Sequence, residues 1–216
     1  MSGHLPHKAY EPIADVYAAG RDDPPLRERI RRQFHDALQG TRVLEVGCGP
    51  GHDAAALAAA GLDVTAVDLC EAFVAYGRQT YPSVEFHCRD LLSLGFPEAS
   101  FDGVLGLACF CHLQETDLQV ALASIRSCLT PGGLLLIWLM DSPSVSSYRV
   151  EDWGGVAGNS IEMICHDRVR MHDQLSNAGF IDMEVMGVES DYYAAIPRIR
   201  NNNIQQYLAQ ARLPLM

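Results

Sequence analysis

The most constraining feature of the sequence is a regular alternation of short apolar segments with helical segments. Five segments have the β-branched or continuously apolar character of buried strands: 42–47, 61–68, 84–87, 101–107 and 134–140. Three segments between them have helical spacing or helix-forming composition: 52–60, 71–79 and 115–129. Because parallel strands need crossover connections, usually helices, the sequence predicts an α/β fold with a mostly parallel sheet and helices on both faces.

The segments outside this core predict one domain with additions. Residues 25–38 have the spacing of an amphipathic helix, and 141–165 lose clear periodicity, which in a compact domain is typical of a functional lid. A helix is expected over 167–177 and a strand over 181–188, and residues 204–211 favour a last strand over the alternative of a terminal helix. We therefore expect a single domain over 1–216 in four parts: N-terminal cap helices (1–40), a cofactor-binding core (41–140), a substrate lid (141–166) and a C-terminal helix with strands (167–216).

Charge and cysteine content narrow the class of protein. The 216 residues hold 16 lysines and arginines against 27 acids, a formal charge of −11, which disfavours binding to nucleic acid or an anionic membrane. The seven cysteines are odd in number and lie mostly in apolar runs, which favours reduced thiols in a cytoplasmic protein. Secretion signals and membrane-spanning stretches are not expected.

Five arginines gather near the predicted first long helix, at positions 27, 29, 31, 32 and 42. They alternate with Glu28 and Asp36. This pattern favours a solvated helix face over a docking patch.

The loop after the first strand indicates a ligand site. Residues 43–51 read VLEVGCGPG, and glycines allow a tight turn with close approach of a ligand to the backbone. The spacing is G-x-G-x-G, whereas the dinucleotide fingerprint is G-x-G-x-x-G. Glu45 precedes the first glycine, and Asp68 ends the second strand, where an acid can accept both hydroxyl hydrogens of a ribose.

Four motifs together resemble those of the class I S-adenosylmethionine-dependent methyltransferases, specifically the broad small-molecule family of type 11 and type 25 domains. They are VLEVGCGPG at 43–51, VTAVDL at 64–69, CRDLLSLGFPEASFDGVLG at 88–106 and LTPGGLLLI at 129–137. The resemblance spans roughly residues 10–190, with the motifs in the family's order and separations. It implies a Rossmann-like, seven-stranded sheet with a short N-terminal cap and a lid after the fifth strand.

The resemblance also implies roles for individual residues around S-adenosylmethionine and its product S-adenosylhomocysteine. Gly47, Cys48 and Gly49 would wrap the methionine part of the cofactor, with Glu45 bracing the loop or reaching the amino group through water. Asp68 would bind the ribose, with Leu69 beside the adenine. Asp90 would accept from the adenine amino group, although it follows Arg89 and a surface ion pair is the alternative.

The resemblance implies four more residues near the cofactor. Arg21 would bind its carboxylate, and the others are Leu91, Leu107 and Ala108. Cys70 departs from the family pattern, since a thiol caps the following helix poorly.

The predicted acceptor side centres on His112, directly after the fourth strand. A histidine there is a candidate general base, or else a helix cap. Residues 10–17 resemble the family's tyrosine-bearing lead-in, which implies Tyr17 as the second catalytic candidate, with a surface or packing role as the alternative. The substrate-binding candidates are Tyr10 and, in the lid, Tyr148 and Trp153, although Trp153 could instead anchor the lid to the core. Cysteines 109, 111 and 165 with His112 and His166 lack the spacing of a metal site, so no metal is expected.

The expected function is methyl transfer from S-adenosylmethionine to an oxygen or nitrogen of a small organic acceptor by in-line displacement. Two alternatives remain: a regulatory protein that binds S-adenosylmethionine or S-adenosylhomocysteine without catalysis, and an NAD-dependent oxidoreductase, which the glycine spacing disfavours. The expected partner is a small-molecule acceptor, with no nucleic acid and no membrane, and the chain is expected to be a monomer or homodimer.

Overall fold

The computed structural model describes residues 6–20, 25–189 and 201–215. Its strands, in chain order, are β1 Arg42–Val46, β2 Asp63–Asp68, β3 Glu85–Cys88, β4 Phe101–Leu107, β5 Leu129–Asp141, β6 Ser147–Val150, β7 Ile161–Ile164, β8 Ile181–Val188 and β9 Gln205–Arg212. Seven of them form one sheet in the order β3-β2-β1-β4-β5-β9-β8. The first five are parallel, and β9 and β8 join antiparallel. The predicted Rossmann-like, seven-stranded, mostly parallel sheet is confirmed.

Helices cover both faces of this sheet. They are α1 His7–Tyr10, α2 Ala14–Ala19, α3 Pro25–Ala37, α4 His52–Ala59, α5 Glu71–Thr80, α6 Glu115–Cys128 and α7 Arg168–Asn177. One apolar layer contains α3, α4 and α5, and the other contains α6 and α7. Val104 and Leu105 are adjacent in β4 and fully buried in opposite layers, which explains why the central strands are apolar throughout.

Strand order locates the ligand-binding edge. The chain moves outward from β1 through β2 to β3, and then returns to place β4 on the other side of β1. In open α/β sheets, ligands bind beyond the carboxyl ends of the strands at such a switch point. The loops after β1 and β4 therefore face each other across the position where a site is expected.

The segment predicted as an irregular lid is more ordered than its sequence indicates. Strands β6 and β7 within it form a separate antiparallel pair, with Tyr148 opposite Met163. Strands of four residues are too short for a clear alternating pattern, so the periodicity did not show them. They are stabilised by packing on Ala9 and Cys111, which are distant in sequence. We call residues 147–164 the hairpin and residues 7–19 the cap.

The ends of several elements also differ from the sequence expectation. Strand β5 begins at Leu129 rather than at 134, so it includes Pro131, Gly132 and Gly133. The last strand, β9, forms as predicted. Within the residues that the structure describes, no helix is both long enough and apolar enough to cross a membrane.

Candidate active site

A cavity of about 510 Å³ lies at the switch point, against the glycine loop and under the cap. Its volume is within the roughly 300–1,000 Å³ typical of small-molecule sites. The cofactor residues implied by the sequence that line it are Glu45, Gly47, Cys48, Gly49, Asp68, Leu69, Asp90, Leu91, Leu107 and Ala108. Tyr10, Tyr17 and His112 line the same cavity. Arg21 lies outside the described residues.

The glycine loop packs tightly on one side and is open on the other. Gly47 has a φ of +61°, and a Cβ there would lie 2.1 Å from the Cβ of Cys109. Gly49 has a φ of +53°, and a Cβ there would meet nothing within 4 Å. Gly47 is therefore required by packing, whereas Gly49 keeps the backbone open to the cavity.

Asp68 connects the loops after β1 and β2. Its Oδ2 accepts the backbone N–H of Gly49 at 2.8 Å, and its Oδ1 accepts that of Cys70 at 2.8 Å. Burial raises the pKa of this carboxyl, while the backbone N–H donors oppose the rise. Cys70 itself makes no side-chain cap, so Asp68 serves the start of α5 instead. Because a carboxylate has about four acceptor positions, Asp68 can also accept from hydroxyls in the cavity.

Glu45 is a buried carboxyl in the cavity wall. It is 2% exposed, and the backbone N–H of Ala54 donates to it. Its Oε2 has no hydrogen-bond partner among the described residues. Burial and the nearby Asp53 raise its pKa well above the usual value, against the opposing effect of Arg27. A buried acceptor without a partner at a cavity fits a ligand that donates a hydrogen bond there.

The prediction that the arginines form a solvated face is wrong for two of them. Arg27 and Arg31 both donate to the buried carboxylate of Asp53, and their side chains are only 16% and 14% exposed. The guanidinium of Arg27 also lies over the ring of Trp138, at 5.5 Å from its centroid. Spacing of four residues places both arginines on one face of α3, and the acid that they contact comes from α4, which the helix pattern alone could not reveal.

Asp90 begins the turn after β3. Its Oδ1 accepts the backbone N–H of Leu92 at 2.9 Å, and the residue lines the cavity. Arg89 instead donates to the carbonyl of Leu94 and lies over the ring of Phe96, at 4.2 Å. The geometry thus turns the two neighbours toward different partners, which favours the ligand interpretation of Asp90 over the surface ion pair.

Tyr10 and His112 form a hydrogen-bonded pair that lines the cavity. The hydroxyl of Tyr10 lies 3.0 Å from Nε2 of His112, which belongs to the 3-10 turn Phe110–His112 after β4. The chain enters this turn through Ala108, whose φ of +60° is rare for a residue with a side chain. Burial raises the pKa of Tyr10 well above its usual value, so its hydroxyl stays protonated at neutral pH and can donate to Nε2. The rings of Tyr17 and Phe73 pack against Tyr10, at 5.3 and 5.6 Å.

Tyr148 and Trp153 are not among the residues that line the cavity. Trp153 contacts the ring of Tyr10 edge-on, with centroids 5.7 Å apart. Tyr148 donates its hydroxyl to the sulfur of Met140 at 3.7 Å. Both belong to the apolar cluster that joins the hairpin to the cap. The structure brings them to the site indirectly, behind Tyr10.

The cysteines near the cavity have the properties of neutral thiols. Burial raises the pKa of Cys109 well above its usual value and that of Cys111 to about 12. Nε2 of His166 lies 2.9 Å from the carbonyl of Phe110, a structural contact. No group of three or more metal-ligating side chains is found in the described part of the chain.

Sequence reasoning missed His52, the first residue of α4. Its Nδ1 lies 2.7 Å from the hydroxyl of Tyr81, and its Nε2 lies 3.1 Å from the carbonyl of Ala18. His52 therefore ties the end of the cap to the helix that follows the glycine loop. Its position directly after the loop was the available signal, but its partner in the cap comes from a distant segment.

The comparisons with known proteins agree with this geometry. Residues 43–133 match a family model described as a methyltransferase domain. Demethylmenaquinone methyltransferase of Renibacterium salmoninarum is 31% identical over 143 residues, which cover 65% of this chain and 57% of that protein. The chain spans about half the length of the first curated relatives it matches, between 43% and 57%.

Two solved structures share the fold. The [4+2]-cyclase SpnF superposes with a TM-score of 0.73 at 18% identity, over 99% of this chain and 97% of that one. The 1,6-didemethyltoxoflavin-N1-methyltransferase of Burkholderia thailandensis, solved with 1,6-didemethyltoxoflavin and S-adenosylhomocysteine, gives 0.63 at 22% identity, over 97% and 91%. At this level of identity the two structures establish the fold alone. Residues 43–133 are thus similar to a methyltransferase domain, in a chain whose fold these two solved structures share.

Proposed function

We propose that the chain binds S-adenosylmethionine and catalyses transfer of its methyl group to an oxygen or nitrogen of a small organic molecule. The observation that carries the proposal is that one cavity joins two sets of residues. We call the glycine loop, Asp68 and Asp90 its cofactor side and the hydrogen-bonded pair of Tyr10 and His112 its acceptor side, and both sets line the same cavity. A donor and an acceptor held in one cavity can react at near-contact distance.

The residues on the first side fit the cofactor. The open backbone at Gly49 accommodates close approach, and Asp68 can accept from the two ribose hydroxyls. Glu45 can accept from the ammonium group of the methionine part, which would satisfy its Oε2. Asp90 can accept from the adenine amino group. When bound, S-adenosylmethionine supplies a methyl group on a positively charged sulfur.

The second side can remove the proton that the acceptor loses. Because Tyr10 can donate its hydroxyl proton to Nε2 of His112, its oxygen is left to accept from a hydroxyl or amine of the acceptor. A proton can then pass from the acceptor to Tyr10 as the proton of Tyr10 passes to His112. Tyr17, the second catalytic candidate, packs against Tyr10 and lines the same cavity.

The acceptor side favours a planar or apolar molecule, because its wall contains the rings of Tyr10, Tyr17 and Phe73. All seven cysteines are free thiols, and this supports the expected reducing cytoplasm. We further propose a single methyltransferase domain over residues 1–216, a monomer or homodimer, with the small-molecule acceptor as partner and no nucleic acid.

Calorimetry tests the cofactor assignment directly. We expect S-adenosylhomocysteine to bind with one site per chain and NADH not to bind, and the reverse result would favour the oxidoreductase. To test transfer, the protein is incubated with methyl-labelled S-adenosylmethionine and a panel of small-molecule extracts. Label in an extracted compound supports the enzyme, and slower labelling by the His112→Ala variant supports a catalytic role for His112. Tight binding with no labelled compound in any extract would favour the regulatory alternative.

A further inference from the structure

The hairpin contacts the cap at three points that surround Tyr10. The first is a hydrogen bond from the side-chain amide of Asn159 to the carbonyl of Ala9, at 2.9 Å. Because Ala9 immediately precedes Tyr10, this bond fixes the backbone at the point from which the tyrosine ring extends. The bond joins residues 150 positions apart in the sequence.

Asn159 also fixes the tryptophan that contacts the same ring. Its side-chain amide donates to the carbonyl of Trp153 at 3.0 Å, and the backbone N–H of Trp153 donates to the carbonyl of Asn159 at 2.7 Å. Trp153 then meets Tyr10 edge-on, which is the second point. One asparagine therefore holds both the backbone beside Tyr10 and a ring that packs on it.

The third point is a close approach that only glycine permits. Gly154 has a φ of +68°, and a Cβ there would lie 2.6 Å from the side chain of Ile13. Ile13 is buried in the cap one helical turn beyond Tyr10. The hairpin is thus matched in shape to the cap on both sides of the tyrosine.

We infer that Asn159 and Trp153 are positioning residues that hold the Tyr10 hydroxyl against Nε2 of His112, so that the hairpin sets the geometry of proton transfer without contacting the acceptor. The catalytic consequence rests on the proposed function, whereas the positioning itself does not. Trp153, expected from the sequence to bind substrate, acts one layer behind the residue that does.

A spectroscopic test needs no acceptor. In protein with ¹⁵N-labelled histidine, Tyr10→Phe removes the hydroxyl and identifies the shift of the His112 Nε2 signal that follows loss of this hydrogen bond. Asn159→Ala should shift the signal in the same direction. Arg149→Gln is the matched control, because the side chain of Arg149 pairs with Glu151 and Ser160 of the hairpin, and it should leave the signal in place. An unchanged signal in Asn159→Ala, or an equal shift in Arg149→Gln, would overturn the inference.

Kinetics test the consequence once an acceptor is known. We expect Asn159→Ala to lower kcat about 10- to 100-fold, the range that a displacement of roughly 1 Å produces, with little change in the KM for S-adenosylmethionine. In a Tyr10→Phe background the same substitution should have almost no further effect, because the hydroxyl that it positions is gone. Additive losses would contradict the inference.

If Asn159→Ala does not fold, two variants of Trp153 test the same inference: Trp153→Phe and Trp153→Leu. The phenylalanine retains a ring edge against Tyr10 and should preserve the His112 signal, whereas the leucine should shift it. Equal signals in both variants would contradict a role for the ring. A protein that shows the expected signals but neither binds S-adenosylhomocysteine nor transfers a methyl group would refute the proposed function and leave the positioning intact.

Discussion

The two sides of the cavity are built in different ways. The cofactor side, which comprises the loops after β1, β2 and β3, is held by contacts between neighbouring strands, such as the bond from Gly49 to Asp68 across 19 positions. The acceptor side, which comprises Tyr10, Tyr17, Phe73 and His112, depends on bonds that span 102 and 150 positions. The cofactor side is thus a property of the sheet, whereas the acceptor side exists only once the cap and hairpin have assembled.

The largest expected effect concerns the arginines that join α3 to the cofactor side. Replacing both Arg27 and Arg31 with glutamine leaves the buried carboxylate of Asp53 without its charged partners, which should lower the free energy of unfolding by about 3–5 kcal/mol. Arg29 and Arg32 are exposed on the same helix, and their double replacement should cost less than about 0.5 kcal/mol. Chemical denaturation measures both. Equal losses of stability from the two double replacements would mean that Arg27 and Arg31 are solvated.

The next effect tests the place where the two sides touch. Gly47→Ala puts a Cβ against Cys109, so about 1–3 kcal/mol of overpacking adds to about 1–2 kcal/mol for the left-handed backbone. Gly61 also has a positive φ, +93°, but open space around it, so Gly61→Ala should cost the backbone contribution alone. If denaturation gives the same loss for both, the packing of the glycine loop against the β4 turn is not as close as described.

On the acceptor side, His112→Ala should lower turnover by about 100-fold or more while S-adenosylhomocysteine affinity stays unchanged, because general acid–base groups contribute on this scale. Activity assays and calorimetry measure the two quantities separately. Normal turnover in this variant would make His112 a structural residue of the turn after β4.

On the cofactor side, Asp68→Ala should weaken binding of S-adenosylhomocysteine by about 1–3 kcal/mol, since it removes a paired acceptor in a half-buried position. Part of the loss would come from the loops that Asp68 joins, so Asp68→Asn serves as the companion variant with similar size. Unchanged affinity by calorimetry in both variants would rule out the ribose assignment.

The difference between the cofactor side and the acceptor side explains how much of the fold and of the site the sequence predicts. The sheet and the cofactor side follow from local patterns, because each strand, glycine and acid lies within a short segment that carries its own signal. Asp68 and Asp90 were expected at the cavity for this reason, and the structure brings both to it.

The acceptor side could be predicted only residue by residue. The sequence indicated His112, Tyr10 and Trp153 one by one. Their contacts, Trp153 with Tyr10 and Tyr10 with His112, depend on packing between distant segments. The pairing of Arg27 and Arg31 with Asp53 was missed for the same reason. A helix pattern gives the face on which a charge lies, but not what covers that face.

Hydrogen exchange with and without S-adenosylhomocysteine tests most directly whether one cofactor-binding cavity joins the two sides. The account predicts that the ligand slows exchange at residues 47–51 and 68–70 on the cofactor side and also at residues 7–19 of the cap, which closes over the same cavity. Binding that protects 47–51 and 68–70 but leaves exchange in 7–19 unchanged, or that protects none of these segments, would contradict it.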